Sequence, residues 1–185
     1  TGAPRLALVL RSLMVGPAPG PPEPYATAVV SAFADACLPG RLSYEGTQAA
    51  AVASGWVETP RSADPELETI LEFADAEAQA PELQGTFAYR VFSRPIGGAD
   101  HFLVVSRSSF VIDPDEEPAN PWVLIGCYLY NLRATAPIDP APVSDLLGVP
   151  VANAAVDETM TGYVWGPPCP MPRTGDTYMT FVPEG

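Results

Sequence analysis

Lysine is absent from this chain, and all nine of its basic residues are arginine. A Schiff-base lysine, a phosphate-loop lysine and a Ser–Lys dyad are therefore excluded whatever the fold. Histidine occurs once, at His101, so any Ser-His-Asp or Cys-His hydrolase must use it. Its neighbour Asp100 is poorly placed to orient the imidazole, because adjacent strand residues face opposite ways. The serines of "SRSSF" lie on the same hairpin as His101, and no G-x-S-x-G elbow occurs. Cysteine is scarce and scattered, at Cys37, Cys127 and Cys169, with no C-x-x-C pair and no histidine nearby. That spacing gives no zinc or dithiol-redox motif, and no metal or cofactor is expected. Long apolar runs are also missing at the start of the chain: "LALVL" follows Arg5 but stops at Arg11. It is too short for the apolar core of a leader and far too short to span a bilayer.

What is abundant is negative charge and proline. The formal net charge is −13, with no basic stripe to release counterions from a phosphate backbone. Nucleic-acid binding, attraction to an anionic membrane surface and membrane insertion are therefore not expected. Acidity serves solubility and also suits a protein partner with a basic surface. The 23 prolines in 185 residues are more than twice the usual share of about 5%. Many connections should be stiff and non-helical. The length suits a single domain over residues 1–185. Within it, "GPAPGPPEP" at 16–24 reads as an extended, polyproline-like connector. Leu6 to Val15 is expected to be a short strand or helix of the fold, beginning just after a removed leader or tag.

Periodicity then organises the chain. Tyr25 to Leu38 places Ala26, Val29, Val30, Phe33 and Cys37 along one helix face, and Pro39-Gly40 stops it. A second helix is predicted over Glu45 to Ser54, with Ser43 near its cap, Ala49, Val52, Ala53 and Trp56 on one face, and Gly55 as terminator. "SADPELETILEFADAEAQAPE" predicts a third, capped by Asp64 with Pro65 at the first helical position. Its inner stripe is Leu67, Ile70, Leu71, Ala74 and Ala78. Its outer face bears Glu66, Glu68, Glu72, Asp75 and Glu77, a solvated surface or a landing surface for a basic partner. Beyond Gly85 the period falls to about 2. "TFAYRVFSR" and "HFLVVSRSSFVI" read as a hairpin turned by Gly97-Gly98, and "DPDEEPANP" as a turn. "WVLIGCYLYNLRA" is apolar on both faces, which predicts a central strand. "DPAPVSDLLG" predicts a short helix from Asp139 to Gly148, and "ETMTGYVW" and "DTYMTFV" two last strands around the loop "GPPCPMPRTG". The fold class is α+β: helices in the N-terminal half packed on one face of a largely antiparallel sheet of about five strands.

Cys37 lies on the inner face of the first helix and Cys127 in the middle of an apolar strand. A helix packed across a sheet brings two such thiols together, which favours a Cys37–Cys127 disulfide. Two separate buried thiols, or a pairing with Cys169 in its proline-rich loop, are the alternatives. The cluster Asp113, Asp115, Glu116, Glu117 and Asn120 offers oxygen ligands, but it lacks the spacing of a calcium loop and reads as a solvated turn.

The segments "FADAC" (33–37), "SGW" (54–56), "GCYLY" (126–130) and "LLG" (146–148) resemble small secreted bacterial proteins of unknown function, over about a third of the chain. The resemblance implies a periplasmic or secreted setting and a cysteine pair at Cys37 and Cys127, and carries no activity. The proline-rich stretch around Cys169 departs from it. The expectation is a non-catalytic exported protein that acts by protein–protein binding, in an inhibitor, immunity or envelope-associated role, through Glu68, Glu72 and Asp75. The alternative is a hydrolase that relies on carboxylates.

Overall fold

The computed structural model describes residues 24–79, 85–110, 121–167 and 175–183. The expectations for Leu6–Val15, residues 16–23 of the connector, the Asp113–Asn120 cluster, Pro81 and Cys169 lie outside these, whereas Pro24, the expected last residue of the connector, opens the first helix. The α+β plan holds, with three helices in the N-terminal half. Helix α1 spans Pro24–Cys37, α2 Tyr44–Ala53 and α3 Pro65–Ala78, with a short strand β1 at Val57–Glu58. The hairpin β2 (Thr86–Ile96) and β3 (Ala99–Phe110) follows, then β4 (Trp122–Tyr130), α4 (Ala141–Leu147), β5 (Asn153–Val156), β6 (Thr161–Trp165) and β7 (Thr177–Phe181).

All described strand pairs are antiparallel. The strands divide into two sheets, ordered β1-β2-β3-β4 and β5-β6-β7. The central strand of the larger sheet is β3, whose residues 101 to 106 are all buried. This corrects the expectation for "WVLIGCYLY": among the described residues β4 is an edge. A strand apolar on both faces reads as central only if both faces are covered, and one face of β4 is open.

Strand alternation explains how the helices are shared out. Phe92 and Leu103 are paired in register, and they pack with Val105, Cys127 and Leu129 against α1 and α2. Val91, Phe102 and Val104 point to the opposite face, where Leu67 and Leu71 of α3 cover them. The N-terminal helices therefore sit on both faces of the main sheet. A third cluster lies on the far side of α1, where Val30 meets Val143 and Leu147 of α4 and Trp165 of β6. The smaller sheet joins the core through that cluster.

Local chemistry fixes the helix boundaries. Ser43 Oγ accepts from Gly46 N at 3.0 Å and caps α2. The inner face of α2 differs from the expected one: Thr47 and Ala51 are buried, whereas Ala49, Val52 and Ala53 are exposed. Thr47 can turn inward because its hydroxyl is satisfied locally, donating to the Gly40 and Ser43 carbonyls at 2.8 and 2.9 Å. Trp56, just beyond the helix, is buried as expected. At α3, Asp64 is the N-cap and Pro65 opens the helix, as the sequence predicts. Gly97 turns the hairpin with φ of +61°, and a Cβ there would come within 2.7 Å of the Tyr25 ring. Only glycine meets both demands.

The Cys37–Cys127 disulfide is present, with a Cα–Cα separation of 5.8 Å. It ties the last residue of α1 to the middle of β4.

Candidate functional site

Helix α3 carries the predicted partner-binding residues, and its orientation is fixed from both sides. Inward, Leu67 and Leu71 are buried. At its start, Asp64 Oδ1 accepts from Glu66 N at 2.9 Å, and Asp64 Oδ2 accepts from Arg133 Nη2 at 2.7 Å. Arg133 also reaches Glu66 Oε2 at 3.3 Å. The helix start, with its positive dipole end, thus holds acidic groups that favour it. These contacts anchor the helix to the chain just after β4.

The outer face consists of Glu66, Thr69, Glu72, Phe73, Ala76 and Glu77, all exposed. Phe73 is 68% exposed. At roughly 100° per residue, Phe73 lies about 20° from Glu66, 40° from Glu77 and 100° from Glu72 on the helix circumference. An aromatic ring thus stands bare among carboxylates. The predicted trio does not share its side of the helix: Glu72 lies about 100°, Glu68 about 140° and Asp75 about 160° from Phe73, and Glu68 and Asp75 are half-buried. Glu68 and Glu72 are brought together by Arg61, whose guanidinium lies 3.6 and 3.4 Å from their carboxylates and donates to Tyr89 Oη at 3.2 Å. Such exposed pairs are weak, about 0 to 1 kcal/mol. Asp75 accepts from Gln79 Nε2 at 3.1 Å. Sequence reasoning missed Phe73, although its signal was present: the residue falls off the Leu67–Leu71–Ala74 stripe.

His101 belongs to a different arrangement. It is 0% exposed, with Nδ1 2.9 Å from the Ala99 carbonyl and Nε2 2.8 Å from the Tyr25 hydroxyl. Tyr25 Oη in turn accepts from Asn131 Nδ2 at 2.7 Å. Burial holds the imidazole pKa below its ordinary value. The neutral ring therefore donates from Nδ1 to Ala99 and accepts at Nε2 from Tyr25. Both nitrogens are occupied, and no serine, cysteine or carboxylate is among these contacts. The network clamps the first turn of α1 to the β2–β3 hairpin and the end of β4.

A depressed histidine pKa has a definite consequence for stability. The unfolded chain takes up the proton first, so the contribution of neutral His101 is present above about pH 6.5 and is lost as pH falls below it. Each pH unit in that window is expected to cost up to about 1.4 kcal/mol. Urea midpoints at pH 7.5 and 5.5 check this. The unaltered chain should lose more stability over that interval than His101→Gln, and equal losses would contradict the assignment.

Two shallow grooves lie on the described surface. One, of about 520 Å³, runs past Glu58, Arg61, Tyr89 and Arg90, and its Glu58 lies 3.6 Å from Arg90. The other, of about 300 Å³, lies between α1 and α4, with Asp35 and Asp145 among its lining residues. Among the described residues, no group of three or more His, Cys, Asp or Glu side chains could hold a metal ion. Nor is any described helix long and apolar enough to cross a membrane. The chain matches no protein-family model, no curated protein and no solved structure.

Proposed function

We propose that this is a non-catalytic exported protein that binds a basic partner protein through the outer face of α3, as an inhibitor, an immunity-like protein or an envelope-associated component. The observation that carries the reading is Phe73, a bare aromatic ring beside Glu66 and Glu77 on the exposed side of the helix. Interfaces are anchored by a few aromatic residues inside a polar rim, and complementary charge speeds the encounter. The −13 net charge supports a basic partner. The disulfide supports an oxidising compartment, as does the resemblance to small secreted bacterial proteins.

The test uses the partner recovered with the intact chain. Phe73→Ala is expected to weaken binding by ten- to a hundredfold, the loss of about 1.4 to 2.8 kcal/mol typical of an aromatic anchor. Reversal of Glu68, Glu72 and Asp75 to arginine should weaken it further and abolish its dependence on salt. Undiminished affinity in both variants removes α3 as the interface.

The groove between α1 and α4 favours the second reading, a carboxylate-dependent hydrolase acting through Asp35 and Asp145. Hydrolytic turnover that disappears in Asp35→Asn and Asp145→Asn would establish it in place of the first.

A further inference from the structure

Strand β4 ends its sheet among the described residues, and its own nine-residue sequence, WVLIGCYLY, has neither the charges nor the prolines that keep sheet edges apart. Trp122, Leu124 and Tyr128, on the face opposite Cys127, are 58%, 52% and 50% exposed. A long, apolar edge of this kind is a template for another strand.

The strand is also complementary to itself. An antiparallel two-fold pairing centred on Gly126 sets Trp122 against Tyr130 of the second copy, Val123 against Leu129, Leu124 against Tyr128 and Ile125 against Cys127. Every pair is apolar. The axis passes through a glycine, and the Tyr128 ring already lies over it: a Cβ at Gly126 would come within 2.5 Å of Tyr128 Cε2. Although each chain carries −13 overall, no like charges meet along this seam. In such a pairing, side chains directly opposite each other lie about 4.5–5.5 Å apart, so that each apolar pair packs across the seam.

We infer that the open edge of β4 is occupied by β4 of a second copy of this chain, joining the two main sheets into one continuous sheet. Light scattering on the full chain should give twice its 19.5 kDa mass, and the dimer should tighten with salt as the repulsion between acidic chains is screened. Leu124→Lys and Tyr128→Glu should each be monomers. Mixing them should restore the dimer, because the two positions face each other across the axis.

A monomer at every concentration and salt level overturns the inference. Amide exchange along Trp122–Tyr130 then says why: slow exchange assigns the edge to other residues of the same chain, and fast exchange leaves it open. A dimer that survives both substitutions lies elsewhere and also overturns it. The mass and exchange of the unaltered chain decide the matter even where a variant fails to fold.

Discussion

Removing the Cys37–Cys127 bridge, as the double variant Cys37→Ala/Cys127→Ala, is expected to lower the unfolding free energy by about 4–5 kcal/mol. The bonded residues are 90 apart in sequence, and in the chain-entropy model a loop of that length restrains the unfolded chain by about this amount. Much of a small domain's net stability of 5–15 kcal/mol would go. The double variant is the proper comparison, because a single substitution leaves an unpaired thiol. Urea unfolding followed by circular dichroism gives the value. A shift below about 1 kcal/mol would mean that packing of α1 on the sheet suffices without the bond. Thiol labelling should find both cysteines unreactive until reductant is added.

The second large effect is expected at Trp165. Its side chain is fully buried, fills the cluster formed by Val30, Val143 and Leu147, and donates from Nε1 to Ser144 Oγ at 2.8 Å. Trp165→Ala is expected to cost about 3–5 kcal/mol from lost burial and the cavity left behind. Ser144→Ala, which leaves the indole N–H buried and unpaired, should cost about 1–3 kcal/mol. Both values come from denaturant midpoints. If Trp165→Ala is nearly neutral, the β5–β6–β7 sheet does not depend on α1 and α4 for its stability.

Much of this architecture is legible in the sequence, and the failures have identifiable causes. The cap and first residue of α3, Asp64 and Pro65, are local chemistry, and the structure keeps them. The inner stripe of α1 is equally local, since 3.6 periodicity needs no partner to be seen. The phase of α2 is different. Hydropathy favours Val52 over Thr47, but the hydroxyl of Thr47 bonds within its own turn and the threonine goes inside. The expectation that β4 is central fails for a related reason. "HFLVV" and "WVLIGCYLY" are equally apolar, and only the pairing order shows which is covered on both faces. Helices lie on both faces of the sheet because Phe102 and Val104 alternate with Leu103 and Val105, so neither face of β3 can be left wet. The acidic residues of α3 were visible as a charge pattern. The grip of Arg61 on Glu68 and Glu72 was not, because it depends on how the chain folds back between β1 and α3.

The bond between Cys37 and Cys127 also sets an order of events when the chain is made. Residue 37 emerges from the ribosome long before residue 127, so α1 must wait, its sulfur unpaired, while everything up to β4 follows. Only the segment beyond residue 127, with α4 and the smaller sheet, can be added after the ring is sealed. A protease cut anywhere between the two cysteines would then leave both pieces joined.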